Sequence, residues 1–551
     1  MTTIADALMA AAETSKIARA IEHDGRMVEM PYARLAEDAL RIGGTLRDQG
    51  LSPGDRVAVL VPDVAPFVQA LTGIAAGGLV PIPLVPPAQA GDVATFSRQS
   101  RDLLNASRAH AVIASADVAS LLEFDASPTP KVFSLDLLMQ GPPLARPATV
   151  SADTPALIQF TSGSTAVPKG VVLSQSALRA NLRAIAGPSG LSLSSDDVGV
   201  SWLPLYHDMG LVGALLTGLF VRGTTIIMSP VLFLKRPTAW LDAISNYRGT
   251  ISFAPNFAYD LCLRRVKPSQ IAALDLSSWR VAGCGAEPIS SRTLEAFADR
   301  FECAGFRRRS FVPSYGLAEH SLAVSFGLHG LEVDVVDSAR LVRESRAVPS
   351  ADQDGHAVRL VACGAPFPDH ALQIVDDEGC QLPERHVGHI LVKGPSVMSG
   401  YFENAIATAE ALQDGWLRTG DLGYIADNQL FVCGRTKDLI IRHGRKYHPP
   451  DLEAAIAAIP GLRPASIVVF GVSHLAEADR VVAVVEARAS SASRQLTDDV
   501  RRRIRETAGL ELDEVLLIAP GTIPRTTSGK VRRSEMRDRF ESGVLQFERQ
   551  S

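Results

Sequence analysis

The chain has 551 residues, and 55 Lys+Arg against 60 Asp+Glu give it a formal net charge of −5. A chain of this length predicts about three to five structural units. Hydrophobic residues make up 46% and charged residues 21%, a balance that excludes a largely disordered protein. The small net charge argues against a protein that binds nucleic acid or an anionic membrane through broad electrostatic attraction.

The sequence carries no signal for export or membrane insertion. Its first twenty residues lack a basic stretch followed by an apolar one, so we expect no signal peptide. The longest apolar run, residues 211–221, is too short to span a bilayer. The six cysteines form no CxxC pair, which is typical of buried thiols in a reducing compartment and not of disulfides or a zinc site. We therefore expect a cytoplasmic protein without stable membrane insertion.

Hydrophobic runs of strand length alternate with helical patterns along most of the chain. A helical pattern over residues 65–77, for example, lies between two such runs. The runs that we interpret as strands are residues 56–61, 79–85, 110–114, 156–160, 224–228 and 280–283. Strands separated by helices predict an α/β protein with largely parallel sheets.

A different pattern begins near residue 435. A segment rich in basic residues, 437–453, is followed by apolar runs at 465–472 and 480–486 and by a helical pattern at 498–509. These predict a compact α+β unit of about a hundred residues. We therefore expect a large N-terminal domain, 1–434, and a small C-terminal domain, 435–551.

The most informative segment, residues 158–170, reads IQFTSGSTAVPKG. Its glycines allow close backbone approach, its hydroxyl and N–H groups can surround phosphate oxygens, and Lys169 adds a positive charge. It is not a Walker A loop, because Pro168 precedes the lysine and a strand follows. A polar surface hairpin is the alternative interpretation of this segment alone.

Four further segments have matching chemistry. They are SYGLAE at 314–319, WLRTGD at 416–421, GRTKD at 434–438 and PRTTSGK at 524–530. They offer an aromatic face for a base, a carboxylate for a metal, an acid suited to ribose hydroxyls, and a second lysine. Taken singly, Tyr315 has an ordinary interpretation as a core residue, Asp421 as a turn former and Lys530 as a surface lysine.

Together and in this order, the segments resemble the adenylate-forming superfamily of acyl-CoA synthetases, adenylation domains and luciferases, and most closely its fatty acyl-AMP ligases. The finer resemblance rests on SWLPLYHDMG at 201–210, APNFAYDLCLRR at 254–265 and GRKYHPPDLE at 444–453. Glu319 also lies 45 residues before Gly364, an interval longer than acyl-CoA synthetases usually show. The excess, about residues 328–360, fits the insertion of the ligase family. Ala318 stands where many superfamily members have Thr, which suits the narrower family.

The resemblance implies a large N-terminal domain of stacked mixed and parallel sheets with helices, of the acetyl-CoA synthetase type, and a small mobile α+β C-terminal domain. It implies ATP-dependent activation of a fatty acid to fatty acyl-AMP with release of pyrophosphate. The acyl group would then pass to the phosphopantetheine thiol of a separate acyl carrier protein. Mg²⁺ would assist, and neither nucleic acid nor membrane insertion is expected.

The resemblance also implies roles for individual residues. Lys530 would bridge the carboxylate and the α-phosphate with the largest single effect, and His207 would act beside the substrate carboxylate. The β- and γ-phosphates would be held by Thr161, Ser162, Gly163, Ser164, Thr165 and Lys169. Adenine and ribose would be held by Gly285, Ala286, Glu287, Tyr315, Gly316, Asp421 and Arg435. Thr161 and Glu319 would hold the metal, and Lys437 would be the hinge between the domains.

The acyl pocket is predicted from the apolar segments near His207, for which ordinary core packing is the alternative. Its candidate residues are Trp202, Tyr206, Met209, Gly210, Phe233, Phe253, Asn256 and Tyr259. The basic stretch 525–539 is either a contact for an acidic carrier protein or a solvated face. Two other functions stay open: a medium- or long-chain acyl-CoA synthetase, and a catalytically silent acyl- or nucleotide-binding regulator.

Overall fold

The computed structural model describes residues 3–86, 93–124, 129–161, 168–351, 357–442, 445–463, 466–474, 477–487, 493–525 and 531–543. The strands are β1 (Ile17–Ile21), β2 (Met27–Pro31), β3 (Arg56–Leu60), β4 (Val80–Pro83), β5 (Ala111–Ala114), β6 (Lys131–Phe133), β7 (Pro155–Thr161), β8 (Lys169–Ser174), β9 (Val198–Ser201), β10 (Thr224–Met228), β11 (Ile251–Ala254), β12 (Val281–Cys284), β13 (Phe311–Gly316), β14 (Ala323–Phe326), β15 (Val333–Asp337), β16 (Ala357–Val361), β17 (Ala365–Pro366), β18 (Ala371–Val375), β19 (Gly388–Lys393), β20 (Gly400–Tyr401), β21 (Leu412–Gln413), β22 (Trp416–Ala426), β23 (Gln429–Arg435), β24 (Ile440–Arg442), β25 (Arg445–Tyr447), β26 (Ile467–His474), β27 (Glu477–Glu486) and β28 (Glu514–Ile518).

The α-helices are α1 (Ile4–Ala12), α2 (Tyr32–Asp48), α3 (Val64–Ala76), α4 (Val93–Ser107), α5 (Ala116–Ala119), α6 (Leu135–Leu138), α7 (Gln175–Ala186), α8 (Asp208–Gly210), α9 (Thr217–Val221), α10 (Pro230–Lys235), α11 (Thr238–Asn246), α12 (Asn256–Arg265), α13 (Pro268–Ile271), α14 (Ser291–Phe301), α15 (Ser338–Glu344), α16 (Ala405–Ala411), α17 (Pro449–Ala457), α18 (Ser493–Ala508) and α19 (Arg533–Glu541). A π-helical turn, Leu211–Leu216, joins α8 to α9.

The largest sheet has nine strands in the order β17-β14-β13-β12-β11-β9-β10-β1-β2. Its centre, from β13 to β10 and on to β1, is parallel, because helices return the chain between these strands. β12, with all four residues buried, shows the continuous apolar pattern of a strand covered on both faces. The antiparallel pair β13–β14 turns the chain back beside Glu319.

Three further sheets of three or more strands lie in the described part of the large domain. β4, β3, β5 and β6 form a parallel sheet, and β18, β19, β22 and β21 form an antiparallel one in which β23 also pairs with β22. The third sheet, in the order β20-β8-β7, brings the segment after Gly400 against the strand that begins at Lys169.

The segment expected as an insertion forms a hairpin of β15 and β16 with α15 between them. On the large-domain side, the Arg385 guanidinium and the Tyr424 hydroxyl both donate to the Asp334 carboxylate, at 2.9 and 2.7 Å. On the other side, the Ser338 hydroxyl donates to the Thr507 carbonyl at 3.2 Å. The insertion thus contacts both parts of the chain.

The C-terminal part has its own sheet, β26-β27-β28, and its own hairpin, β24–β25. One apolar core, which includes Ile456, Val469 and Ile504, lies between this sheet and the helices α17 and α18. A second, which includes Phe470 and Met536, lies between the sheet and α19. Two cores formed almost wholly by residues after 439 are what a separate folding unit requires.

The α/β class with a small α+β C-terminal unit is confirmed. The strand at residues 56–61 appears as β3 and the helix at residues 65–77 as α3, within one or two residues at each end. The sheets are less parallel than the alternation predicts, because β18, β19, β22 and β23 pair in antiparallel fashion. No helix in the described part of the chain is both long and apolar enough to cross a membrane.

Candidate active site

One cleft of about 2150 Å³ lies between the large sheet and the C-terminal part. Residues from motifs far apart in sequence border it, and they include most of those predicted for the site: Lys169, His207, Ala286, Glu287, Tyr315, Gly316, Glu319, Asp421, Arg435 and Lys437. The fold therefore brings the separate motifs to one place.

Asp421 has a fixed orientation at the predicted ribose end. The Tyr315 hydroxyl donates to its Oδ2 at 2.8 Å, and the Arg435 Nε lies 3.2 Å from its Oδ1. Burial and the adjacent carboxylate raise the pKa of Tyr315 well above its usual value, so the phenol stays protonated and acts as a donor. The same carboxylate raises the pKa of Arg435. A carboxylate oriented in this way suits hydrogen bonds from hydroxyl groups.

Gly285 and Gly316 hold strand ends close together beside this acid. A Cβ on Gly285 would press on the Ser314 hydroxyl and lie 2.7 Å from the Ser314 carbonyl oxygen. A Cβ on Gly316 would collide with the Leu322 carbonyl oxygen. Both positions therefore require glycine for close backbone approach, which brings Tyr315 to the cleft wall.

Ala286 and Glu287 follow β12 directly. Ala286 has φ +68°, a conformation rare for a residue with a side chain. The Glu287 carboxylate accepts the Phe257 backbone N–H at 2.7 Å, at the first turn of α12. Its position on the cleft wall matches the prediction, but this contact satisfies a helix terminus and does not depend on a nucleotide.

Glu319 and Lys169 are joined through Tyr401, a residue that the sequence reasoning missed. The Tyr401 hydroxyl donates to Glu319 Oε1 at 2.9 Å, and the Lys169 Nζ lies 4.9 Å from the centre of the Tyr401 ring. The pairing of β20 with β8 creates this contact, and no motif in the sequence indicates that pairing.

The donors present fit a magnesium ion held mainly by substrate phosphates. Within the described ranges, no group of three or more His, Cys, Asp or Glu side chains is arranged to hold a metal. Mg²⁺ is usually bound through one or two carboxylates together with phosphate oxygens, and Glu319 supplies one carboxylate beside Lys169. Of Thr161, the other predicted ligand, only the backbone is described, where it pairs with Lys169.

His207 borders the cleft just before α8. Its Nδ1 lies 2.6 Å from Oδ1 of the buried Asp208 carboxylate. That contact fixes the ring and leaves Nε2 as the nitrogen that can reach a substrate. The helix that follows contains the π-helical turn, a distortion frequent at functional sites.

Half of the predicted acyl-pocket residues border the cleft, namely Tyr206, Met209, Phe253 and Asn256. The other four do not. Trp202 stacks on Phe233 with ring centres 3.9 Å apart, and the buried Tyr259 hydroxyl donates to the Gly283 carbonyl at 2.8 Å. Gly210 packs against the backbone of Leu203 and Pro204. For these four the structure favours the alternative, core packing.

Lys437, the predicted hinge residue, lies in a single 3-10 turn, Thr436–Asp438. Partial desolvation of the otherwise exposed side chain and the nearby Arg435 guanidinium lower the pKa of Lys437. Its neighbour Asp438 accepts from Arg533 at 3.0 Å, and Glu453 accepts from the same guanidinium at 2.7 Å. This partly buried cluster, which sequence reasoning also missed, ties the turn of Lys437 to the first turn of α19.

Several predicted residues lie outside the described residues: Ser162, Gly163, Ser164, Thr165 and Lys530. The residues that flank the Lys530 segment, Arg525 and Val531, form a backbone bridge and border the cleft. The predicted position of Lys530 near the substrate therefore stays a prediction.

Comparisons with known proteins show the family of the chain. The family model described as AMP-binding enzyme matches residues 9–402. The chain is 37% identical to a putative acyl-CoA synthetase of Caulobacter vibrioides, over 94% of this chain and 92% of that protein. It is 35% identical to the medium-chain-fatty-acid–[acyl-carrier-protein] ligase JamA of Moorena producens, over 94% of this chain and 90% of that protein.

Among solved structures, one from a study of fatty acyl-adenylate ligases of E. coli and L. pneumophila superposes with a TM-score of 0.92 at 36% identity, over 99% of this chain and 98% of that one. The chain therefore belongs to the AMP-binding enzymes of the adenylate-forming superfamily, and the resemblance to their fatty acyl-AMP ligase branch is confirmed.

Proposed function

We propose that the protein activates a fatty acid with ATP to give fatty acyl-AMP and pyrophosphate, and then transfers the acyl group to the phosphopantetheine thiol of a separate acyl carrier protein. The observation that carries this proposal is the single cleft in which Asp421 and Arg435, Lys169 and Glu319, and His207 and Phe253 meet. The relatives named as fatty-acid–[acyl-carrier-protein] ligases support the same chemistry.

The first step joins two anions, because a carboxylate attacks the α-phosphate. A site lowers that barrier with fixed cations and donors aimed at the developing charge. In this chain Lys169 would bind the outer phosphates, Asp421 would hold the ribose, and Lys530 would neutralise the carboxylate and the α-phosphate. Mg²⁺, when bound at Glu319, would supply Lewis-acid neutralisation of phosphate charge.

His207 is the candidate for the carboxylate end of the cleft. The Asp208 contact at Nδ1 orients the ring and leaves Nε2 free of that contact, and His207 borders the cleft where the fatty-acid carboxylate would enter. The apolar side chains of Met209 and Phe253 line the same cleft. Together they would place the carboxylate near Lys530 and shield it from water.

The second step would use a rotation of residues 435–551 about Lys437. The two apolar cores of that region support a unit that can move as a body, and rotation about a few boundary residues is a common mechanism. The rotation would exchange the Lys530 segment for the segment that begins at Gly444.

The basic composition of residues 525–539 suggests a contact for an acidic carrier protein, but several of its arginines already pair with acidic residues of the chain. Arg532 and Arg539 both pair with Glu535, at 2.8 and 2.5 Å, and Arg533 is held by Asp438 and Glu453. Arginines that are neutralised within the chain attract an acidic partner weakly. We therefore leave the docking surface of the carrier protein unassigned.

A mass-spectrometric screen tests the proposal. Purified protein, ATP and Mg²⁺ are incubated with fatty acids of graded length, with CoA, with a phosphopantetheinylated carrier protein, or with neither. We expect acyl-AMP without an acceptor and acyl-carrier protein when the carrier is present. The same acids are also tested for ATP–pyrophosphate exchange, and the absence of exchange with every acid would favour a catalytically silent regulator.

An acyl-CoA synthetase is the second candidate, favoured by the name of the C. vibrioides relative. It predicts efficient formation of acyl-CoA in the same screen. The two candidates share the first step, so the acceptor experiment alone separates them.

A further inference from the structure

Tyr401 occupies a specific place between two groups of the cleft that carry opposite charge. Its hydroxyl donates to Glu319 Oε1 at 2.9 Å, while the Lys169 ammonium lies over the ring, 4.9 Å from its centre. Lys169 is the candidate phosphate-binding cation and Glu319 the candidate metal ligand.

The backbone around Tyr401 fixes this placement. β20 pairs with β8, so that Tyr401 lies opposite Val171, and the Phe402 N–H donates to the Gly170 carbonyl at 2.7 Å. The Met398 N–H donates to the Glu319 carbonyl at 2.8 Å. One short segment, 398–402, therefore joins the strand of Lys169 to the turn of Glu319.

The phenol is suited to a donor role. It engages one oxygen of Glu319 and leaves the other oxygen for a metal. The ring gives the ammonium a favourable cation–π contact that does not neutralise it.

We propose that Tyr401 is a positioning residue that keeps Lys169 and Glu319 apart and aimed at the substrate, Lys169 for the phosphates and Glu319 for the metal. Without the ring, the two opposite charges would pair directly, and each would have to break that pair before binding its ligand. Without the hydroxyl, Glu319 would lose its fixed orientation. This inference rests on the proposed function for the identity of the ligands.

Binding measurements test the inference without requiring any turnover. The probe is Mn²⁺ with a non-hydrolysable ATP analogue, and free Mn²⁺ is followed by electron paramagnetic resonance. Y401F keeps the ring and loses the hydroxyl, so we expect Mn²⁺ affinity to fall about tenfold while affinity for the analogue without metal stays within about twofold. Y401L loses both features, and we expect both affinities to fall about tenfold or more.

The control is Y247F, which also removes one phenol hydroxyl. Tyr247 donates to the Met27 sulfur at 3.4 Å and does not border the cleft, so both affinities should equal those of the wild type. A merely structural role of Tyr401 would lower the fraction of protein that binds but leave the dissociation constants unchanged.

A double-mutant cycle keeps the inference falsifiable if Y401F is poorly stable. If Tyr401 acts on the metal through Glu319, then Y401F combined with E319Q should bind Mn²⁺ as weakly as E319Q alone. Additive losses, or wild-type Mn²⁺ affinity in Y401F, would overturn the inference. Failure of the proposed function would appear elsewhere, as wild-type protein that binds Mn²⁺ and the analogue but forms no acyl-AMP.

Discussion

Asp421 and Arg435 face each other across two neighbouring antiparallel strands. They are register partners in the pairing of β22 with β23, and the Arg435 Nε lies 3.2 Å from Asp421 Oδ1. The other carboxylate oxygen accepts the Tyr315 hydroxyl, so both oxygens are oriented before any ligand binds. A carboxylate with this geometry loses little conformational freedom when it binds a ligand.

We expect D421N to raise the KM for ATP about 10- to 100-fold, because an amide accepts hydrogen bonds more weakly than a carboxylate and leaves Arg435 without its ion pair. The dependence of pyrophosphate exchange on ATP concentration measures this change. The matched control is E37Q, which removes an exposed carboxylate that pairs with Arg34. A KM for ATP within twofold of the wild type would contradict the ribose role.

The amino-acid sequence alone predicts those parts of the fold and of the site that depend on a local pattern of residues. β3 and β12 are short, apolar and buried, so their residue pattern alone identifies them as strands in the sequence. The segment before Lys169 and the segment 416–421 carry their chemistry within a few consecutive residues. Such features need no knowledge of what packs against them.

Features that depend on pairing between distant segments could not be predicted. Tyr401 reaches Glu319 only because β20 adds to the edge of β8, across some 230 residues of chain. Trp202 lies in a segment typical of the substrate end, yet its ring turns into the aromatic core against Phe233. Composition cannot decide between a pocket wall and a core, since both are apolar.

Arg533 gives a prediction about stability. Its guanidinium, mostly buried, contacts Asp438, Glu453 and the Val469 carbonyl. R533M leaves two buried carboxylates without their cation, so we expect a loss of about 3–5 kcal/mol in the free energy of unfolding of the C-terminal unit. Urea unfolding followed by near-UV circular dichroism measures it. R502M, at an arginine whose side chain is 61% exposed, should change stability by less than about 1 kcal/mol; an equal loss in both variants would contradict the interpretation.

His320 gives a prediction about pH. It is fully buried, its Nδ1 contacts the Ala323 carbonyl at 2.9 Å, and burial lowers its pKa to about 4 from the ordinary 6.5. Between pH 6.5 and 4 the unfolded chain takes up a proton at this position and the folded chain does not. The free energy of unfolding should therefore fall as the pH falls through this window, by about 3 kcal/mol from this residue.

Urea unfolding of the wild type and of H320Q at intervals from pH 7.5 to 4.5 checks this expectation. H320Q is expected to be less stable at neutral pH but to show a shallower decline towards acid. Burial also lowers the pKa of His448 to about 4. His448 should therefore cause part of the loss of stability towards acid in both proteins. The same slope in wild type and H320Q would show that His320 does not contribute.

The insertion gives a prediction about the acyl acceptor. Its helix α15 touches the C-terminal unit through Ser338, which bonds to Thr507, and through Val342, which packs against the apolar core of that unit, while Asp334 fixes the insertion to the large domain. Contacts on both sides oppose the rotation that an acyl transfer would need. V342S removes part of the apolar contact, worth about 1.4 kcal/mol, and such a change shifts a two-state equilibrium about tenfold. We expect acyl-CoA formation to rise by up to that factor while acyl-AMP formation stays unchanged.

The matched control is V335S, on β15, at a valine that does not belong to that core. Acyl-AMP is measured by pyrophosphate exchange and acyl-CoA by mass spectrometry on the same samples, so a general loss of activity is separated from a change in acceptor. Equal acyl-CoA yields from wild type, V342S and V335S would mean that the α15 contact does not restrain the C-terminal unit. If acyl-CoA formation rises as much in V335S as in V342S, the cause is loosening of the insertion as a whole. Both valines lie in the insertion, but only Val342 packs against the core of the C-terminal unit.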